Sequence, residues 1–227
     1  VSPGNARYPG PQAELKMSNR IRIYMTGVGG QGTLTATTLL ARVAVAQGVE
    51  VVAGEIHGMA QRGGDVMSHV RMGNAGEEVF SPLPAKGTVN VLIALEPGEA
   101  ARALPYLKEN GLLVVASTGI PPVMANFKRQ TYDPQHLIDD MQAAGVKMVV
   151  VDDAELVHRL GEPKALNVMM LAYAIIAVNK REDCVDNALR GAITLEDIEA
   201  AIPLCVKRKL VSVNEKAIKV VQQAARV

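Results

Sequence analysis

Apolar positions recur along the chain in two rhythms. From Ile21 to Met25 they fall on every second residue, Ile21, Ile23 and Met25, the period of a strand with one buried face. From Thr33 to Gln47 the rhythm is helical, with Leu34, Thr37, Thr38, Ala41 and Val45 near one face and Gly48 as a natural terminator. Val49–Ala53 reads as a second buried strand, so the chain opens as a β-loop-α-β unit, whose parallel crossover is right-handed in nearly all proteins. Val66–Met72 alternates as a strand with one solvated face, and Glu77–Phe80 is its expected antiparallel partner because Asn74-Ala75-Gly76 carries turn chemistry. Val89–Leu95 is almost continuously apolar, as a parallel strand covered on both sides must be.

The rhythms then alternate again. Pro97–Glu109 reads as helix, Leu112–Ala116 as strand, Asp133–Ala144 as helix and Lys147–Val151 as strand. Beyond Asp152 the pattern is helical, over Asp153–Leu160, Ala165–Ala177, Thr194–Ile202 and Ser212–Ala225, the third opened by the capping-box pair Thr194 and Asp197. The expected fold is α/β: a Rossmann-like, doubly wound, mostly parallel sheet with a small antiparallel extension and C-terminal helices. Residues 1–18 hold three Pro and two Gly with little apolar periodicity and read as a disordered leader; residues 19–227 read as a single domain.

Composition narrows the function. A chain of 227 residues, 48% hydrophobic, can bury a full core. A net charge of +1, 3% aromatic residues and no Trp offer neither the field nor the stacking platforms of a nucleic-acid binder. No run approaches the roughly 18 apolar residues of a membrane span, and the first residues lack a signal-peptide pattern, so the expected location is cytoplasmic. Cys184 and Cys205 form no C-x-x-C and read as free thiols; they cannot supply the four thiolates of a cubane iron–sulfur cluster.

Two segments carry candidate chemistry. Gly27, Gly29 and Gly32, with Gly30 and Gln31 between them, match G-x-G-x-x-G after a strand and before a helix, and Glu55 falls where a dinucleotide fold keeps its ribose-binding acid. That spacing favours a nicotinamide or flavin; the alternative is a plain loop carboxylate. From Glu55 to Asp65 the chain reads EIHGMAQRGGD, in which Arg62 could reach an anion across accessible backbone N–H groups, or pair with Asp65 in an interface. His57 is a candidate acid or base, or a structural histidine; His69 and Arg71 suit a polar interface, and His136 and His158 face solvent. Asn167 lies in an apolar helix and needs a hydrogen-bond partner. A Walker loop, G-x-S-x-G and H-E-x-x-H are all missing, and no residues are expected to hold a metal.

Taken together, GVGGQGTLTATTLLARVA and the later GEIHGMAQRGGDVMSHVRMG resemble the gamma-type domain of the 2-oxoacid:ferredoxin oxidoreductases, and among them the indolepyruvate oxidoreductases. The resemblance implies a subunit of a complex that oxidatively decarboxylates a 2-oxoacid to an acyl-CoA and passes electrons to ferredoxin. Its wording leans to arylpyruvates such as indolepyruvate, with pyruvate, 2-oxoglutarate and 2-ketoisovalerate open. Thiamine diphosphate, iron–sulfur clusters and CoA are then expected in the complex, with none assigned to this chain alone. The thiamine and the clusters are expected on partner subunits, through which ferredoxin is reached; a homodimer stays open, and no nucleic acid or membrane is expected as partner. Of the candidates, His57 and Arg62 would be catalytic, while Gly27, Gly29, Gly30, Gln31, Gly32, Glu55, Gln61, Gly63, Gly64 and Asn167 would form a ligand- or partner-binding rim. The alternatives are a stand-alone NAD- or FAD-binding oxidoreductase and a non-catalytic scaffold subunit.

Overall fold

Where the sequence alternates, side chains divide between two cores. A computed structural model describes residues 21–57, 65–73, 83–121, 131–181, 183 and 190–225. Its strands are β1 (Ile21–Val28), β2 (Val51–His57), β3 (Asp65–Met72), β4 (Val89–Ala94), β5 (Leu107–Ala116) and β6 (Met148–Val151). Its helices are α1 (Thr33–Ala46), α2 (Pro97–Ala103), α3 (Pro134–Ala143), α4 (Asp153–Leu160), α5 (Leu166–Lys180), α6 (Leu195–Cys205) and α7 (Arg208–Ala224).

The strands form one six-stranded sheet in the order β2-β3-β1-β4-β5-β6. β1, β4, β5 and β6 are parallel, and β3 is antiparallel to both of its neighbours, β1 and β2. Helices α1 and α4 to α7 cover the face that carries Ile21, Ile23 and Met25, while α2 and α3 cover the face that carries Tyr24, Leu92 and Leu113. Among the described residues α5 is the central helix: eleven of its fifteen residues are buried, so it is apolar nearly all round. The doubly wound, mostly parallel sheet is as expected.

Several local expectations change. β3 is not an outlying strand with a wet face; it lies between β1 and β2, with Val66, Ser68, His69, Val70 and Met72 all buried. His69 and Arg71 give one face a polar look, yet His69 is buried in the sheet's interior. β2 extends to His57, which puts Glu55 within a strand opposite Ser68 instead of at a strand tip. The helix expected over Pro97–Glu109 stops at Ala103, because Pro105 lacks an N–H and restricts the residue before it; a short 3-10 turn over Leu104–Tyr106 leads directly into β5. In α1 the face traced by Leu34 and Val45 points outward, and Ala36, Leu39, Leu40, Val43 and Ala44 form the core side. Burying a residue the size of Leu39 or Leu40 completely contributes about 1.5–3 kcal/mol. The leader 1–18 and the strand expected at 77–80 lie outside the described residues.

Candidate functional site

The rim at the carboxyl ends of β1, β4 and β5 brings together the first glycine loop, the end of β2 and the start of α5. Gly32 is the N-cap of α1 with φ 79°, a left-handed conformation that favours glycine. Its carbonyl accepts a hydrogen bond of 2.6 Å from Asn167 Nδ2, and a Cβ at Gly32 would stand 2.6 Å from that same nitrogen. Asn167 is 3% exposed, and its Oδ1 accepts from the Val168 backbone N–H at 2.8 Å, so both ends of the buried amide are satisfied.

Gln31 braces the other side of the loop. Its Oε1 accepts from the Val28 N–H at 2.6 Å and its Nε2 donates to the Leu95 carbonyl at 2.9 Å, which ties the loop to the end of β4. Gly27 makes room for this: a Cβ there would lie 2.7 Å from Gln31 Oε1. Glu55 closes the third side, where one carboxylate oxygen accepts from Thr33 Oγ1 and from Ser68 Oγ, each at 3.1 Å. The first turn of α1 contains no acidic residue, so Glu55 brings a negative charge from β2 to the positive end of the helix. The sequence left this carboxylate either facing a ribose or lying in a plain loop. In the structure it bonds to the protein's own helix start.

Farther along the rim, buried Glu96 gathers three elements. Its carboxylate accepts from Glu99 N at 2.8 Å, from Ile120 N at 3.3 Å and from the Tyr132 hydroxyl, while that hydroxyl accepts from Gly98 N at 3.1 Å. Asp153 accepts from Ser117 Oγ at 3.2 Å and from Thr118 N at 2.9 Å, joining the ends of β5 and β6. These carboxylates hold loops in place and leave no oxygen-rich cluster: no group of three or more metal-ligating side chains occurs among the described residues.

Beneath the rim, His69 is not the polar interface residue its alternation suggested. It is 1% exposed, its ring centroid is 5.9 Å from that of Tyr24, and its Nδ1 has no hydrogen-bond partner among the described residues. Burial pushes its pKa below the usual histidine value by disfavouring the charged ring. His136 does face solvent, 3.6 Å from Asp140, and His158 is also exposed.

Of the predicted rim, then, Gly27, Gly29, Gly30, Gln31, Gly32, Glu55 and Asn167 come together around the start of α1. His57 closes β2 opposite Val66, with its side chain outside the described residues, and Gln61, Arg62, Gly63 and Gly64 lie outside them too. Thr33, Ser68 and the Leu95 carbonyl were missed. Thr33 could have been found, since it directly follows the last loop glycine; the other two are brought in by pairing and by the parallel crossover. Among the described residues the arrangement supplies a hydrogen-bonded backbone surface and no nucleophile–base pair. The two cysteines of the sequence do not fit an iron–sulfur cluster; among the described residues Cys205 is a half-buried thiol whose pKa burial pushes up.

Comparison with known proteins gives these loops a context. Residues 22–227 match the family model described as pyruvate ferredoxin/flavodoxin oxidoreductase. The chain is 33% identical to the indolepyruvate oxidoreductase subunit IorB of Archaeoglobus fulgidus, over 88% of this chain and 92% of that one. It is 24% identical to the pyruvate synthase subunit PorC of Methanothermobacter thermautotrophicus, over 80% and 92%. Among solved structures, the gamma subunit of a keto/oxoacid ferredoxin oxidoreductase from Geobacter sulfurreducens shares the fold with a TM-score of 0.60 and 20% identity, over 90% of this chain and 98% of that one.

Proposed function

Because the chain belongs to the pyruvate ferredoxin/flavodoxin oxidoreductase family, we propose that it is the gamma-type subunit of a complex that oxidises an arylpyruvate, such as indolepyruvate, to the corresponding acyl-CoA. The observation that carries this reading is the near full-length likeness to an indolepyruvate oxidoreductase subunit, 33% identical against 24% for the pyruvate synthase subunit. Thiamine diphosphate and the iron–sulfur clusters belong to partner chains, and ferredoxin receives the electrons there. When bound, thiamine diphosphate supplies the carbanion chemistry of decarboxylation. This chain's part is to shape the rim.

The rim suits that part. Gln31, Asn167 and Glu55 satisfy the glycine loop from within, so its shape does not depend on a ligand. The same bonds disfavour the stand-alone dinucleotide reading, since Glu55 Oε1 and the start of α1 are already engaged with one another. His57, the last residue of β2, and Arg62, five positions later in the sequence, are proposed to bind an anionic group of CoA or of the partner's loop.

Two experiments test the proposal. A native pull-down with this chain is expected to bring down a larger subunit bearing thiamine-binding and ferredoxin-type cysteine motifs. The purified complex should reduce ferredoxin with indolepyruvate and CoA at a higher kcat/KM than with pyruvate or 2-oxoglutarate. Preference for pyruvate would refute the substrate, and a chain that binds NAD or FAD without a partner would refute the assignment. Arg62→Ala is expected to raise the KM for CoA or weaken assembly; if both are unchanged, the role given to Arg62 is wrong.

A further inference from the structure

The last helix gathers its charge on one side. The buried residues of α7, Asn214, Ala217, Ile218 and Val221, rest on α4, α5 and α6. Its exposed residues are four cations, Arg208, Lys209, Lys216 and Lys219, with one serine and two glutamines. At about 100° per residue the four cations fall within a sector of about 100°, and from Arg208 to Lys219 they span about 17 Å of helix. Lys207, the exposed N-cap, adds a fifth, and half-buried Glu215 at the edge of the sector is the one acid of the helix. Residues 207–219 therefore hold a net +4 in a chain whose total is +1.

These charges work against the helix that bears them. None of the five cations makes an ion pair among the described residues. Lys216 and Lys219, three positions apart, repel each other. Arg208 and Lys209 lie in the first turn with no acid beside them and no side-chain cap from Lys207, so they face the positive end of the helix dipole. α4 and α6 are built the other way, opening on Asp153 and Glu155 and on Glu196 and Asp197. The buried side of α7 holds it in place, and its outer charges suit something outside the chain.

The chemistry of the face selects that partner. An array of unpaired cations calls for an acidic surface, and no large apolar side chain of α7 is exposed to anchor a permanent interface, in whose core Lys is depleted. A small charged patch suits a transient encounter, in which complementary fields speed association. Nucleic acid is also anionic, but 3% aromatic residues and no Trp offer its bases no stacking platform. A membrane surface would find no apolar side to take up, since that of α7 faces the core. Resting on the function proposed above, whose electrons leave on a ferredoxin-class protein, we propose that the exposed face of α7 steers that acidic electron carrier onto the complex. The face attracts and orients the carrier, and the electron comes from the clusters assigned to the partner chains.

An acidic ferredoxin is the probe. Titrated against the full chain alone, it should bind with a micromolar Kd at about 20 mM salt and about tenfold more weakly at about 200 mM. Lys209→Glu, Lys216→Glu and Lys219→Glu together should weaken the low-salt binding about tenfold. The thermal midpoint should hold or rise, because an acid then stands in the first turn; a merely structural role for these lysines would lower it. In the complex the same changes should raise the KM for ferredoxin about fivefold at low salt, leaving kcat and the KM for the 2-oxoacid unchanged. Binding indifferent to salt or to the triple change overturns the proposal, as does a DNA duplex that binds more tightly than ferredoxin. A complex that reduces no ferredoxin, beside a chain that still binds it through α7, would sink the assigned reaction and leave the docking face standing.

Discussion

Gln31→Ala removes the brace of the glycine loop without touching the core, and the structure fixes what should follow. Two hydrogen bonds are lost, one to Val28 N at 2.6 Å and one to the Leu95 carbonyl at 2.9 Å. Each contributes about 1 kcal/mol net, and because Gln31 is only half-buried, water replaces part of what its partners lose; the expected cost is about 2 kcal/mol. For a domain of this size that lowers the thermal midpoint by about 4–8 °C. Gly27→Ala should cost a similar amount by a different route, since its Cβ would stand 2.7 Å from Gln31 Oε1 and push the amide away. The two losses share one cause, so they must not add: Gly27→Ala in the Gln31→Ala chain should cost about 1 kcal/mol or less, through its remaining 3.1 Å contact with Leu95. A double-mutant cycle by urea denaturation measures this. Additive losses would refute the account in which Gly27 is glycine to make room for Gln31.

Further outcomes are expected. Gly32→Ala combines a left-handed φ of 79° with a Cβ 2.6 Å from Asn167 Nδ2 and should destabilise by about 3 kcal/mol, read as a shift in urea midpoint. Burial lowers the His69 pKa in the folded chain from the ordinary 6.5, so the unfolded chain takes up the proton first; stability is fully present above pH 6.5 and falls as pH drops below it. His69→Phe should flatten the difference between urea midpoints at pH 7.5 and pH 5, and an unchanged difference would show that another group titrates. Thr194→Ala breaks the capping box of α6 and should cost about 1 kcal/mol, measured by the thermal midpoint, with the α1 rim and any activity of the complex unaffected.

The layout of the sheet was legible because its buried strands are written as apolar runs: Val89–Leu95 and Leu112–Ala116 could only be covered on both faces. The place of β3 was not legible. Its period-two pattern, with His69 and Arg71 on one face, suggests a solvated face, and only long-range pairing shows that β1 and β2 both use it as a neighbour. At the site, the glycines and Asn167 could be singled out by residue type, but not joined, since the bond between Asn167 and Gly32 spans 135 positions. Glu55 stands out in the sequence as an acid near the end of β2, but its hydrogen bonds do not, because sequence spacing says nothing about Thr33 and Ser68 converging on one oxygen. The outward turn of Leu34 and Val45 was hidden for a related reason: α1 is apolar enough on both sides that periodicity alone does not choose the core face.

The bonds that give the glycine loop its form reach far along the chain, to Leu95 through Gln31, 64 positions away, and to Asn167, 135 positions beyond Gly32. During synthesis, β1 and the start of α1 are finished long before either tether exists. Contacts of such separation come late, because the cost of closing the intervening chain must be met first. The loop therefore cannot be set while the chain is only half made. It takes its shape after the parallel strands have stacked and α5 has docked, and amide exchange at Val28 and Gln31 should report that final step.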